Sequence, residues 1–144
     1  STKKFDHIIN MAVKKVPDIC IGTDVIVGFP GETETYFEET YNFLKVLPVN
    51  YFHVFSFSKR NKAKAKNLKD QIPVNVIQKR SEKLRVLSMR KRKQFYDRMI
   101  GKTVSVLFEQ EKNGIWKGVT DNFIQVNVLS KKDLKKRSAY CFDS

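Results

Sequence analysis

Apolar positions at Phe5, Ile8, Ile9, Ala12, Val13 and Val16 recur at helical spacing, with Ser1 or Thr2 available as N-cap and Pro17 ending the pattern. Lysines 3, 4, 14 and 15 fall on the other faces, so this is an amphipathic helix to be laid on a sheet. Ile19 to Val27 is a nearly continuous apolar run. It predicts a strand with Asp24, Ile26 and Gly28 on one face and Thr23, Val25 and Val27 on the other, and such a run suits a parallel strand covered on both sides. A Gly28-Phe29-Pro30-Gly31 turn follows, then a helix from about Thr33 to Val46 that buries Phe37, Tyr41 and Leu44. Pro48 ends it, and Tyr51 to Phe57 reads as a second strand. Strand, helix and strand with short connections predict a parallel βαβ unit, with both strand ends, Gly28 and Ser56 to Ser58, on one rim.

After Pro73 a long helix is predicted to about Met99, with Ile77, Leu84, Leu87 and Phe95 as its stripe, Val86 and Met89 adding to it, and Gly101 as C-cap. From Lys102 the period changes to two. Val104, Val106 and Phe108 alternate with Thr103, Ser105 and Leu107, and Asn113-Gly114 is a strong hairpin signal. Ile115 to Thr120 and Phe123 to Val128 add two strands, with a weak closing strand around Ala139 to Phe142. The fold class is therefore α/β: a parallel βαβ unit followed by a small antiparallel β-barrel.

Charge sharpens this picture. Lys plus Arg number 28 against 15 acidic residues, a formal net charge of +13 in 144 residues. That excess favours a polyanion, nucleic acid before membrane. No apolar run reaches the length of a membrane span and no signal-peptide pattern is present, so a cytosolic (cytoplasmic) setting is expected. Cys20 and Cys141 lie far apart in sequence and outside any metal-spacing motif; a free state is expected for both. The helix after Pro73 carries Lys79, Arg80, Lys83, Arg85, Arg90, Lys91, Arg92, Lys93 and Arg98. Like charges at that density repel unless an anion lies alongside, which makes this helix a connector with one face on protein and another toward RNA or DNA. The basic run from Lys59 to Lys66 is either a solvated loop or a phosphate contact leaving the same rim. Trp116 and Phe123 either stack bases or fill the barrel, and the core reading is preferred for Trp116.

At the Gly28 turn the chemistry is open. Asp24 is a carboxylate among apolar residues, and either a neighbouring group or a ligand must answer it. Glu34, Glu38 and Glu39 suit a helix N-terminus but argue against a phosphate cradle there, and no Gly-Lys-Ser/Thr follows. His7 reads as a surface residue and His53 as packed in its strand.

Four segments, in order and spacing, resemble the radical SAM methylthiotransferases: Thr23-Asp24-Val25-Ile26-Val27-Gly28-Phe29-Pro30-Gly31-Glu32-Thr33; His53-Val54-Phe55-Ser56-Phe57-Ser58-Lys59-Arg60; Asp70-Gln71-Ile72-Pro73; and Ile100-Gly101-Lys102-Thr103. Thr120-Asp121-Asn122-Phe123 resembles part of the TRAM domain that ends those enzymes. The resemblance covers about Phe5 to Val128, and His53-Val54-Phe55 is most similar to the branch acting on threonylcarbamoyladenosine in tRNA; the isopentenyladenosine branch is the alternative. It implies residues 1–99 as the last part of a TIM-like radical SAM barrel with its basic connector helix, and residues 100–144 as a TRAM-like RNA-binding β domain. It implies S-adenosylmethionine and two 4Fe-4S clusters as cofactors, tRNA as partner, and cluster ligands ahead of Ser1, so that this piece alone has no catalytic or metal-binding residue and should be inactive.

By position in that family, Asp24, Ile26, Gly28, Gly31, Glu32 and Phe55 would line the S-adenosylmethionine side. Ser58, Arg60, Arg90, Lys91, Arg92, Lys102, Asn122 and Phe123 would meet RNA. Two features depart from the family. Lys62-Ala63-Lys64-Ala65 replaces its Gly-Thr-Pro-Ala segment, and the chain past Val128 carries little of its pattern. A half barrel also exposes strand edges to dimerisation. A non-catalytic RNA-binding module and an unrelated basic α/β protein are the competing readings.

Overall fold

The computed structural model describes residues 2–58 and 70–135, and the backbone of 138–141. The elements run α1 (Thr2–Lys15), β1 (Gly22–Val27), α2 (Glu34–Val46), β2 (Tyr51–Ser56), α3 (Val74–Met99), β3 (Thr103–Lys112), β4 (Ile115–Thr120), β5 (Gln125–Leu129) and β6 (Ser138–Cys141). β1 and β2 pair in parallel, with Gly22 opposite Tyr51, Asp24 opposite His53 and Ile26 opposite Phe55. The second sheet is antiparallel, in the order β5-β4-β3-β6.

β1 starts later than the apolar run implied. The Ile21 N–H is taken by the side chain of buried Asn50 (2.7 Å), and the Asn50 N–H returns to the Ile21 carbonyl (2.8 Å). This bridge satisfies the backbone just before the ladder begins.

Coverage of the parallel pair differs from expectation. Val27, Phe52, Phe37, Leu44, Leu47, Leu84 and Leu87 form one buried cluster with Ile9, so α1, α2 and α3 all contribute to a single face. On the other face Asp24 and His53 are exposed, Ile26 is 63% and Phe55 53% exposed. Among the described residues the strand is therefore covered on one side, and Asp24 is answered by solvent. α1 is less embedded than its stripe implied: Ile9 is buried, but Phe5, Ile8, Val13 and Val16 remain exposed. His7 is exposed, as read, and His53 is exposed rather than packed, because its alternation puts it on the uncovered face.

α3 serves both units. Its Leu84 and Leu87 lie in the first cluster, while Phe95 and Met99 join Val106, Phe108, Trp116, Ile124, Val126 and Val128 in the second. Trp116 is core, packing edge-on to Phe108 at 6.4 Å. Met89 is 63% exposed and drops out of the stripe. The Asn113-Gly114 turn forms as expected, with both residues at positive φ.

Candidate functional site

The rim turn is held from three directions. Gly28 and Gly31 have φ of +82° and +86°, a region that favours glycine. The Gly28 N–H donates to the Glu32 carboxylate, the Glu32 N–H to the Phe29 carbonyl (2.9 Å), and the Gly31 N–H to the Asp70 carbonyl (2.9 Å). Thr33 then caps α2, its hydroxyl accepting from the Tyr36 N–H at 3.2 Å.

The third hold comes from α3. Arg80, only 7% exposed, donates to the Glu32 carbonyl (2.8 Å) and the Glu34 carboxylate (2.8 Å), and stands 3.5 Å from the Glu32 carboxylate. Its guanidinium also lies 5.2 Å from the Phe37 ring centre. Reading Arg80 as one more cation on a nucleic-acid face is thus corrected. The α2 acids and Glu32 draw it into the interior, since a buried guanidinium requires anionic partners. Ser81, also buried, meets the Ser56 hydroxyl at 3.0 Å, tying α3 to the end of β2.

These contacts place the expected cofactor-side residues. Ile26 and Phe55 are cross-strand partners and form an exposed apolar platform, with Asp24 one position further down. The space a side chain would fill at Gly28 is occupied by Ile77, whose Cδ1 would stand 2.6 Å from a Cβ there, whereas nothing lies within 4 Å of one at Gly31. Gly31 is the open glycine. Glu32 is 16% exposed with its carboxylate engaged by Gly28 and near Arg80, so it acts on the turn from within. Ser58 is exposed beside the rim; Arg60 and the basic loop from Lys59 to Lys66 lie outside the described residues.

The basic residues divide by where they sit on α3. Arg90 is exposed. Lys91 is half-buried and donates to the Leu47 carbonyl at 2.8 Å; burial, and then the Arg98 charge, hold its ammonium below the ordinary lysine value. This bond ties α3 to the end of α2. Arg92 stacks over the Tyr51 ring at 4.6 Å. Lys83 pairs with Glu38 and Lys93 with Asp97.

Two further expected RNA contacts, Lys102 and Asn122, also join the units. Lys102 Nζ lies 2.6 Å from the Asp18 carboxylate, and Asn122 donates to the Asp18 carbonyl at 3.0 Å while accepting from the Thr120 hydroxyl at 2.6 Å. Phe123, next in line, is 78% exposed. Among the described residues no group of three His, Cys, Asp or Glu side chains could hold a metal ion, and no helix is long and apolar enough to cross a membrane. Cys20 is free, with burial raising its thiol pKa against an opposing pull from Arg92.

No protein-family model matches the chain. Curated proteins do. It is 37% identical over 134 residues to the threonylcarbamoyladenosine tRNA methylthiotransferase MtaB of Aquifex aeolicus, covering 93% of this chain and 32% of that protein. It is 34% identical to the enzyme of the same name from Bacillus subtilis, covering 90% and 30%. A tRNA-2-methylthio-N(6)-dimethylallyladenosine synthase from Endomicrobium trichonymphae is 33% identical, covering 90% and 32%. The chain belongs to the radical SAM methylthiotransferase family. The chain spans about a third of the length of those relatives. Its Gly-Phe-Pro-Gly-Glu turn is held by a clamp, Arg80, that no motif announces. The signal for Arg80 was positional: it lies three residues after Ile77 and four before Leu84, on the buried row.

Proposed function

We propose that this chain is the carboxyl-terminal part of an enzyme that methylthiolates C2 of threonylcarbamoyladenosine in cytoplasmic tRNA, beside the anticodon. The observation that carries the proposal is the similarity over 93% of the chain to an enzyme of that name. The rim geometry agrees with it. Ile26 and Phe55 offer a flat apolar surface to an adenine ring, and Gly31 leaves the backbone beside it accessible. These residues fit one wall of an S-adenosylmethionine pocket. Bound there, that cofactor supplies the radical and methyl-donor chemistry.

The chain's own part is to bind and orient. The Glu32–Arg80 clamp holds the turn in one conformation, and the uncovered face of β1 and β2 excludes water from the apolar side of the ring once occupied. The described residues do not offer a ligand set for a 4Fe-4S cluster, and no step is assigned to one here. Exposed cations on α3, Arg85 and Arg90 among them, provide a surface for tRNA phosphates. Residues 100–144 act as a TRAM-like RNA-binding unit in this reading, joined to the α/β unit through Asp18.

Two experiments test it. The protein that contains this chain should carry a C-x-x-x-C-x-x-C motif ahead of Ser1, and its absence from the whole protein would overturn the radical reading. Binding to an anticodon stem-loop should weaken as salt rises, with a slope of roughly −0.7 to −0.9 per phosphate neutralised in log K against log salt. A flat response would remove tRNA as the partner of this surface.

A further inference from the structure

The β4–β5 turn places a bulky residue where glycine belongs. The Phe123 N–H donates to the Thr120 carbonyl at 3.0 Å, the Thr120 N–H to the Ile124 carbonyl at 3.0 Å, and the Ile124 N–H to the Thr120 hydroxyl at 2.9 Å. This closes a short hairpin in which Phe123 adopts φ of +63°. Such turns prefer glycine or asparagine in that position, and an aromatic residue there is strained. Burial does not compensate, because the ring is 78% exposed. A strained backbone carrying an apolar ring in water points to a role outside folding.

The ring stands at a cavity of about 200 Å³ between the two units, lined by Cys20, Tyr51, His53, Arg92, Tyr96 and Gln125 as well as Phe123 and Phe95. Its wall is planar and cationic. Arg92 lies over the Tyr51 ring at 4.6 Å, and Tyr51 packs edge-on against His53 at 5.3 Å. Tyr96 is 41% exposed, and the exposed Gln125 offers an amide that both donates and accepts. An aromatic face, a guanidinium and an amide around a slot of this size match an unpaired nucleobase. The slot lies by Tyr51, at the start of β2, and so at the opposite end of the strands from the Gly28 rim.

We infer that this junction cavity is a nucleobase-binding site, which takes one unstacked RNA base onto the Phe123 ring, away from the cofactor surface at the rim. The inference rests on the RNA-binding reading above and deepens it. It makes Phe123 a stacking group, Arg92 a positive wall and Gln125 the group that meets the base edge. The junction grips one base of the strand while exposed cations on α3 meet its phosphates, both apart from the cofactor surface at the rim.

The test uses the whole 144-residue chain, a short oligoadenylate, and an abasic ribose–phosphate chain of equal length. Both probes carry the same phosphates, so their difference reports bases alone. The intact protein should bind the oligoadenylate about five- to a hundredfold more tightly. Phe123→Ala should abolish that difference and leave affinity for the abasic chain unchanged, and Phe123→Tyr should restore it. Because the ring is exposed, these variants keep the fold; circular dichroism verifies this. Equal binding of both probes by the intact protein, or a base-dependent difference that survives in Phe123→Ala, overturns the stacking site while leaving RNA binding intact. Binding of neither probe overturns the RNA reading itself.

Discussion

Replacing Arg80 by alanine removes a buried cation that ties α3 to both the rim turn and the start of α2. Its bond to the Glu32 carbonyl is buried and charge-assisted, worth about 1.5–3 kcal/mol. The partner Glu34 is 69% exposed, so that ion pair is discounted for solvent to at most about 1 kcal/mol. Stacking of the guanidinium on Phe37 adds roughly 0.5–1 kcal/mol. Against this, the Arg80 Nε is buried without a partner, and deleting it returns about 1 kcal/mol. The balance is a loss of about 1–4 kcal/mol, large against a typical stability of about 5–15 kcal/mol. Urea unfolding followed by circular dichroism measures it. Arg80→Met keeps the stem and isolates the charge, and adding Glu32→Gln to it should recover more than about 0.5 kcal/mol, because the carboxylate left behind no longer lacks its cation. If Arg80→Ala unfolds within about 0.5 kcal/mol of the parent, the clamp is not what holds the turn, and the reasoning from burial to rim rigidity fails.

The two rim glycines should respond differently. Gly31→Ala incurs only the positive-φ cost of about 1–2 kcal/mol, whereas Gly28→Ala adds an overlap with Ile77 and should cost about 2–4 kcal/mol; equal losses in urea midpoints would contradict the packing argument. Lys91 has a lowered pKa in the folded chain, so the unfolded chain holds that proton more tightly and stability rises with pH between the folded and the ordinary lysine values. Comparing unfolding at about pH 8 and about pH 10 should show this gain in the parent and a smaller one in Lys91→Met; identical slopes would refute it. Asn122→Ala removes its junction bond to the Asp18 carbonyl and its turn bond from the Thr120 hydroxyl and should cost about 1–2 kcal/mol, while Lys102→Ala breaks an exposed ion pair and should cost less than about 1 kcal/mol. A reversed order, read by thermal unfolding, would place the junction's strength in the charge pair instead.

Apolar spacing, with proline, glycine and Asn-Gly turn signals, located α1, α2, α3, the parallel pair and the β3–β4 hairpin. It also sorted β1 correctly, Ile26 and Asp24 against Val25 and Val27. What it could not sort was the purpose of a cation. Counting Arg80 and Lys91 with the basic face overlooked that both lie on the row running through Ile77, Leu84, Leu87 and Phe95, whereas Arg90 and Arg92 lie off it. A charge on a buried row must find internal partners, and these two did, in Glu32 with Glu34 and in the Leu47 carbonyl. The bonds of Lys102 and Asn122 were not legible for another reason. Their partner, Asp18, is more than eighty residues earlier in the chain, and no local pattern reports so distant a contact. Asp18 itself sits at φ of +58° after Pro17, a turn residue whose long-range bonds only the fold reveals. Nor could local pattern show that Ile77 fills the space beside Gly28.

The most direct measurement is nucleoside mass spectrometry of total tRNA from cells in which the gene encoding this chain has been deleted. The account predicts that 2-methylthio-threonylcarbamoyladenosine disappears, that its unthiolated precursor accumulates, and that reintroducing the whole protein reverses both. Unchanged levels of that nucleoside, or loss of the isopentenyladenosine derivative in its place, would contradict it.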